Sequence, residues 1–304
     1  MNFKPVEIDD YKALKPFFEH QPYRHSNYSL FSVVVWGDQA YRTSFAVDGE
    51  RVVFLNDSTI IPGDRHLFLP VSPVKRPRLA HLRALAVETG VKQYGFVPES
   101  YLMDQGRREA EALFIITEQP EFEDYVYLAR DLATLKGNRY AGKRNQIHQF
   151  VREYVEKNRA VIEEMKQAHS GECLDFLEKW FEMRDCDADE NFSLACEKKA
   201  AIRALENIER LEVTGILIRI DGAVSAFGIA SRVTEDMGVL NFEKAFPNVR
   251  GLYQFLDREC ARRLFHGCRY INKESDMGVP NLAQMKKAYH PVMKEKCYRL
   301  ELRT

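Results

Sequence analysis

Asn241 to Leu264 reads NFEKAFPNVRGLYQFLDRECARRL. The run GVLNFEKA (Gly238 to Ala245) predicts a strand that ends on a carboxylate and an ammonium, Glu243 and Lys244. A short connection with Pro247, Arg250 and Gly251 follows, and then Leu252, Leu256, Cys260 and Leu264 recur on one helical face. The first amides of such a helix have no intrahelical partner, so with Gly251 allowing close approach and Arg250 alongside they point to an anion site for phosphate or carboxylate. The same residues also suit a tight strand-to-helix turn with a solvated arginine. The sequence leaves both readings open.

Working outward, the stretch belongs to a repeat. TSFAVDGERVVFL (Thr43 to Leu55) and GILIRIDGAVSAFGIA (Gly215 to Ala230) each place Asp-Gly between two β-rich runs, the pattern of a hairpin with a type I′ turn. Each is followed by an apolar strand, a connection with Pro and basic residues, a helix, and a strand opening at Tyr94 or Tyr270. Two halves in the same order predict a duplicated mixed αβ (α+β) fold, with mixed, mostly antiparallel sheets flanked by helices. The boundary is expected near Gly137, between an apolar strand and a long amphipathic helix, giving units 1–136 and 137–304. The second half is expected to carry the chemistry and the first to be degenerate and structural.

Across 304 residues, 44 Lys and Arg nearly balance 45 Asp and Glu, so nothing steers the whole molecule toward DNA or an anionic membrane. Any basic site must be local. Acidic residues in the first ten positions and the lack of a run of about 18 apolar residues argue against a signal peptide or a membrane span, and predict a cytoplasmic location. The six cysteines form no CxxC pair and read as buried thiols. No HxH, HExxH or GxSxG spacing occurs, so no metal site and no serine nucleophile are expected. MRDCDADENFS (Met183 to Ser193) lacks the central Gly and closing Glu of a calcium loop and reads as an acidic surface loop bordering an acceptor.

The strand, loop and helix inside a duplicated half resemble the GNAT acyltransferase fold. The acyl-CoA loop of that fold keeps only its middle glycine here, Gly251, with Asn248 and Tyr253 at the outer positions. A closer likeness lies in EKA.P..RG.YQ...RE, in YINKESDMG...L..MKKAY.P and in DLATLKGNRYAGKRNQIHQF. Together these resemble bacterial proteins sharing the C-terminal catalytic domain of phosphatidylglycerol lysyltransferase (lysylphosphatidylglycerol synthase), which look like tandem GNAT folds related to Fem-type transferases. The resemblance implies transfer of an acyl or aminoacyl group, from acyl-CoA or aminoacyl-tRNA as donor, to an amine or hydroxyl on a small molecule or lipid headgroup, with tRNA as a partner. It points to Glu243, Lys244, Arg250, Gly251, Tyr253, Asn272, Lys273, Glu274, Asp276, Lys286 and Tyr289. Lys273 stands where the family usually has Arg, which removes a guanidinium fork but keeps the charge.

Acyl transfer needs a base, oxyanion donors and an acid for the leaving group. Glu243 is the candidate base, or else half of a salt bridge. Tyr289 is the candidate acid, or else an aromatic anchor before Pro291. Lys143 and Arg144, within the basic run LKGNRYAGKRN, are candidates for gripping phosphates, or form a solvated helix start. Lys273, Glu274 and Asp276 are expected to line a cleft from the end of a strand, with Asp276 alternatively capping the next helix. Beside the transferase stands a rival class, a duplicated scaffold without catalysis that senses an anionic metabolite or nucleotide.

Overall fold

Both Asp-Gly hairpins form in the computed structural model, which describes residues 1–183 and 191–303. In the second, Ile220 pairs with Ala223, leaving Asp221 and Gly222 in the turn at φ +50° and +84°, as a type I′ turn requires. In the first the turn shifts by one residue. Asp48 pairs with Arg51, so Gly49 (φ +60°) and Glu50 form the turn. Glycine at the first central position suits type II′, and the Asp48 carboxylate instead accepts from Arg51 Nε at 2.8 Å.

Fourteen strands are described: β1 (Lys4–Pro5), β2 (Tyr41–Asp48), β3 (Arg51–Ser58), β4 (Arg65–Leu67), β5 (Gln93–Pro98), β6 (Phe114–Glu118), β7 (Asp124–Leu128), β8 (Ala160–Glu164), β9 (Thr214–Ile220), β10 (Ala223–Arg232), β11 (Met237–Ala245), β12 (Tyr270–Asn272), β13 (Met293–Glu295) and β14 (Cys297–Leu302). One sheet runs β1-β2-β3-β4-β5-β14-β6 and the other, read from its far edge, β8-β9-β10-β11-β12-β7-β13. The two orders correspond strand for strand. In each, the seventh strand of one half sits between the fifth and sixth of the other, so each half is completed by a strand from the other. Among the described residues only β4–β5 and β11–β12 pair in parallel, each joined by a strand–helix–strand crossover.

The exchange is matched by the packing. One apolar core joins Phe31, Phe54 and Leu69 of the first half to Phe227, Val239 and Phe242 on one face of the second sheet. A second core lies on that sheet's other face, where helix Leu252–Arg263 buries Leu252, Leu256 and Cys260, the face expected from their spacing, with Leu256 and Cys260 over Gly228 of β10. Cys173, Cys196, Cys260 and Cys297 are buried free thiols and Cys268 is half-buried. Among the described residues no helix is long and apolar enough to cross a membrane. The sequence reading of Met183 to Ser193 as an acidic loop falls mostly outside the described residues.

One irregularity places the site. Along β10–β11, Ile229 faces Phe242 and Ala230 faces Leu240, so Asn241 is an extra residue, a β-bulge. A bulge re-aims the side chains around it. Parallel pairing with β12 runs from Met237 opposite Tyr270 to Val239 opposite Asn272 and then stops. Past that point the two strands part, with Asn241 and Glu243 on one side and Lys273 and Glu274 on the other.

Candidate functional site

Glu243 and Lys273 meet on the helix-covered face of the second sheet, beyond the point where β11 and β12 part. Lys273 Nζ lies 2.9 Å from Glu243 Oε2 and 2.9 Å from Asp257 Oδ1, the latter from helix Leu252–Arg263. Lys273 Nζ also stands 5.1 Å from the centre of the Tyr289 ring, and Lys143 Nζ lies 4.0 Å from that same ring. Glu243, Lys273, Asp257 and Tyr289 are largely withdrawn from water and Lys143 is half-buried, and within the Glu243–Lys273–Asp257 group the charges do not cancel. Two carboxylates share one fully engaged ammonium, so one carboxylate holds a proton easily.

The ionisation of the group follows from this. Burial, and then the neighbouring Asp257 charge, push the Glu243 carboxyl up to about 7, although Lys273 pulls the other way. Asp257 and Glu243 hold Lys273 protonated against the cost of burial. Burial and Asp257 raise the Tyr289 phenol well above its ordinary value, so it remains protonated. Burial pulls Lys143 down. The arrangement therefore offers a carboxylate that exchanges its proton near neutrality beside a phenol that keeps its own.

The other predicted residues divide. Lys244, next along the strand, points to the opposite face: its Nζ donates to Glu197 Oε1 at 2.5 Å and sits 4.3 Å from the centre of the Trp180 ring. It is neutralised there and stands apart from Glu243. Arg144 donates to the carbonyls of Leu135 (2.5 Å) and Gly137 (2.7 Å), which ties down the loop after helix Ala129–Thr134 instead of meeting a phosphate. Arg250 is exposed. Gly251 adopts φ +82°, and a Cβ there would lie 2.1 Å from the Gln146 carbonyl oxygen. Its missing side chain thus serves the packing of two helices, and the Leu252 amide already donates to Val249 O at 3.2 Å. The Tyr253 hydroxyl accepts from Trp180 Nε1 at 3.2 Å.

The expectation that Lys273, Glu274 and Asp276 project from one strand is corrected. The strand ends at Asn272, and Glu274 takes φ +58°. That twist separates Lys273, facing the helices, from Glu274, facing the first half. There Asn241 Nδ2 donates to Ser32 Oγ (3.0 Å) and to Glu274 Oε1 (3.3 Å). Asn272 donates to Asp124 Oδ2 at 2.7 Å and accepts from the Glu274 amide at 2.7 Å. Asp276 accepts from Tyr125 OH (2.6 Å) and the Gly278 amide (2.9 Å), so it shapes the turn into the next helix. Lys286 Nζ donates to the carbonyls of Lys273 and Glu274. Its pKa is lowered to about 8 by burial, while burial lifts Glu274 to about 8.

The sequence reading missed Asp257, Asn241 and Asp124. Asp257 carried one faint signal, an acid beside the apolar stripe of a helix. A cleft of about 550 Å³ lined by Tyr11, Phe18, Phe31, Val233 and Phe265 opens elsewhere between the halves and includes none of these residues. Among the described residues no group of three His, Cys, Asp or Glu could hold a metal ion.

Two corresponding sheets, each with a parallel pair fed by a hairpin and a crossover helix, make this a tandem GNAT-like fold. The chain belongs to the family described as phosphatidylglycerol lysyltransferase, C-terminal, whose family model matches residues 21–301. That membership places it with acyl- and aminoacyl-group transferases of the GNAT type. It is similar over 100% of both chains, at 28% identity and a TM-score of 0.87, to a conserved protein of unknown function from Bacteroides thetaiotaomicron VPI-5482. Its fold is also similar to the C-terminal domain of a protein from Agrobacterium fabrum provisionally assigned as a lysylphosphatidylglycerol synthetase, at 14% identity and TM-score 0.63, covering 97% of this chain and 92% of that one. Among curated proteins none matches the chain.

Proposed function

We propose that this protein transfers an aminoacyl group from the ester of an aminoacyl-tRNA to a hydroxyl or amine acceptor, with Glu243 as the base. The observation that carries this reading is the buried Glu243–Lys273–Asp257 group, in which a carboxyl pushed up to about 7 stands where two parallel strands part. The acceptor's O–H or N–H proton passes to Glu243 as its heavy atom bonds to the ester carbonyl carbon. The ester C–O bond then breaks, and the departing ribose oxygen takes a proton from Tyr289, which recovers one from Glu243 by way of solvent. A base whose pKa lies near the working pH combines availability with strength.

An oxygen ester is favoured over acyl-CoA by Gly251. Its open face meets the Gln146 carbonyl, and the amide after it is spent within the turn. Lys136 and Arg250 are exposed and suit phosphates of a nucleic acid end. The family description names a lysyl group and phosphatidylglycerol. A lipid headgroup hydroxyl is therefore the first acceptor to try, with small amines second.

The test is label transfer from charged tRNA, against acetyl-CoA, to phosphatidylglycerol vesicles and to soluble amines. Transfer from tRNA that weakens with salt and is lost in Glu243→Gln is the expected result. Acetyl transfer alone would overturn the donor assignment. Ligand binding that survives Glu243→Gln, with no turnover from any donor, would favour the non-catalytic sensor.

A further inference from the structure

The chain leaves the second sheet beside Val126 and comes back to it. Asn272, the last residue of β12, pairs with Val126 on one side of β7, and Met293, the first of β13, pairs with the same residue on the other side. The two roots are therefore two strand spacings apart, about 10 Å. Everything between them, residues 273–292, is an excursion from the sheet, and no residue of it is fully buried. Its helix, Pro280–Lys287, buries none of its residues and leaves Met285 exposed. A connection this long that adds nothing to a core is usually functional.

What holds the excursion in place is largely polar. Tyr125, Tyr127 and Tyr140 belong to the core on the helix-covered face, each only 1% exposed. Their hydroxyls donate outward into the excursion: Tyr125 to Asp276 Oδ2 (2.6 Å), Tyr127 to Lys286 O (2.8 Å) and Tyr140 to Tyr289 O (3.2 Å). Lys286 Nζ reaches back to the carbonyls of Lys273 and Glu274, which ties the helix to the first root so that the segment holds together as one body. Non-glycine residues in the left-handed region stand just inside both roots, Glu274 at φ +58° and His290 at φ +57°. Backbone of that kind persists only where its surroundings impose it, and it recurs at switch segments. A segment with few buried contacts opens at a far lower free energy than the strands that carry it.

The same segment carries part of the site. Lys273 at its root holds Glu243 and Asp257, and the Tyr289 ring near its far end lies 5.1 Å from Lys273 Nζ and 4.0 Å from Lys143 Nζ. An aminoacyl ester and its acceptor have to reach Glu243, whose side chain is only 16% exposed. We propose that residues 274–291 are a flap, latched by the three tyrosine hydroxyls, that swings away to admit substrate to Glu243 and closes to bring Tyr289 over the reacting ester. The inference rests on the transferase reading for the identity of the substrate alone. Closure after binding excludes water from the ester and completes the set of reacting groups.

Hydrogen exchange read by mass spectrometry, and carbodiimide coupling of glycinamide to the Glu243 carboxyl, both on the full chain, test this without turnover. Tyr127→Phe and Tyr140→Phe each remove one latch and leave the ring in the core. In the wild-type protein the amides of residues 273–292 are expected to exchange about 100-fold or more ahead of those of β9 and β10. Each variant should hasten that exchange by about 2-fold to 10-fold, the worth of one hydrogen bond, and should hasten coupling at Glu243 by the same factor. Exchange in β9 and β10 should keep its wild-type rate in both variants, which reports an intact fold. Amides of residues 273–292 that exchange no faster than those strands, or that are unchanged in both variants, would overturn the flap. Faster exchange with coupling at Glu243 unchanged would show a segment that moves without guarding the site, and would overturn the assignment as well. Coupling that follows the flap in a protein that transfers no aminoacyl group would leave the flap standing and count against the proposed reaction.

Discussion

The two sheets break at the same place and fill the break with opposite chemistry. In the first, Phe68 bonds back to Phe54 and Val71 to Val52, so the segment after β4 carries one residue more than β3, near Pro70. In the second the extra residue is Asn241. Around the first break lie Leu69, Val71 and Phe96, all buried, with Phe96 in the left-handed region at φ +53°. Around the second lie Glu243, Lys273, Glu274 and Asp257. Proline belongs at such a bulge because it has no N–H to give the ladder. The first copy's split is lined by hydrocarbon, which suits the supporting role expected of that half. The second copy's split is polar and holds buried charges that apolar replacement would often improve in stability, which supports the proposed role in chemistry.

The comparison is broken most sharply at Glu243. Glu243→Gln keeps the shape and removes the base, and should lower aminoacyl transfer by about 100-fold to 10,000-fold at unchanged folding. Initial rates with circular dichroism check this. Lys273→Met leaves Glu243 and Asp257 buried together without their cation and should cost about 3–5 kcal/mol of stability, measured by denaturant melts. In the first half, Leu69→Ala should cost about 2–5 kcal/mol by opening a cavity, with the rate per folded molecule unchanged. Loss of turnover at constant folded fraction would show that the first half takes part in the chemistry.

Smaller effects sharpen the picture. Gly251→Ala forces a Cβ against the Gln146 carbonyl at positive φ and should destabilise by about 1–3 kcal/mol. Gly90→Ala, also in the left-handed region but in open space, should cost about 1 kcal/mol. Equal losses would show that helix packing is not what Gly251 serves. The smallest effect concerns pH. Because the Glu243 carboxyl lies higher in the folded chain than in the unfolded one, its contribution to stability is fully present below about 4.5. It is lost as pH climbs through about 7. Over that window the rate should rise while stability falls. Asp257→Asn removes the like charge and should move the rising limb of the pH–rate profile to lower pH.

Much of this could be read from the chain. The hairpins, the crossover helices and the repeat follow from local rules, since Asp-Gly, apolar alternation and helical spacing each act within a few residues. Even there the first turn moved by one residue, because glycine at the first central position outweighed the Asp-Gly pattern. Glu243, Lys273 and Tyr289 were nameable from the family resemblance, with Glu243 marked as well by its place at a strand end. Lys244 and Arg144 were not separable from them, because neighbours in sequence point to opposite faces or turn back onto the backbone. Asp257 and Asn241 stayed hidden: the first looks like an ordinary helical acid, and a bulge is a property of two strands and not of one.

By itself the sequence determined the elements, their duplicated order and the class of chemistry its end-of-strand charges can perform. Only the tertiary structure decided that the halves exchange their seventh strands, that Gly251 holds two helices together, and that Lys273 is shared by two acids. Those facts depend on which segments approach across more than a hundred residues. Burial then sets the charge of each group, and no pattern along the chain records it.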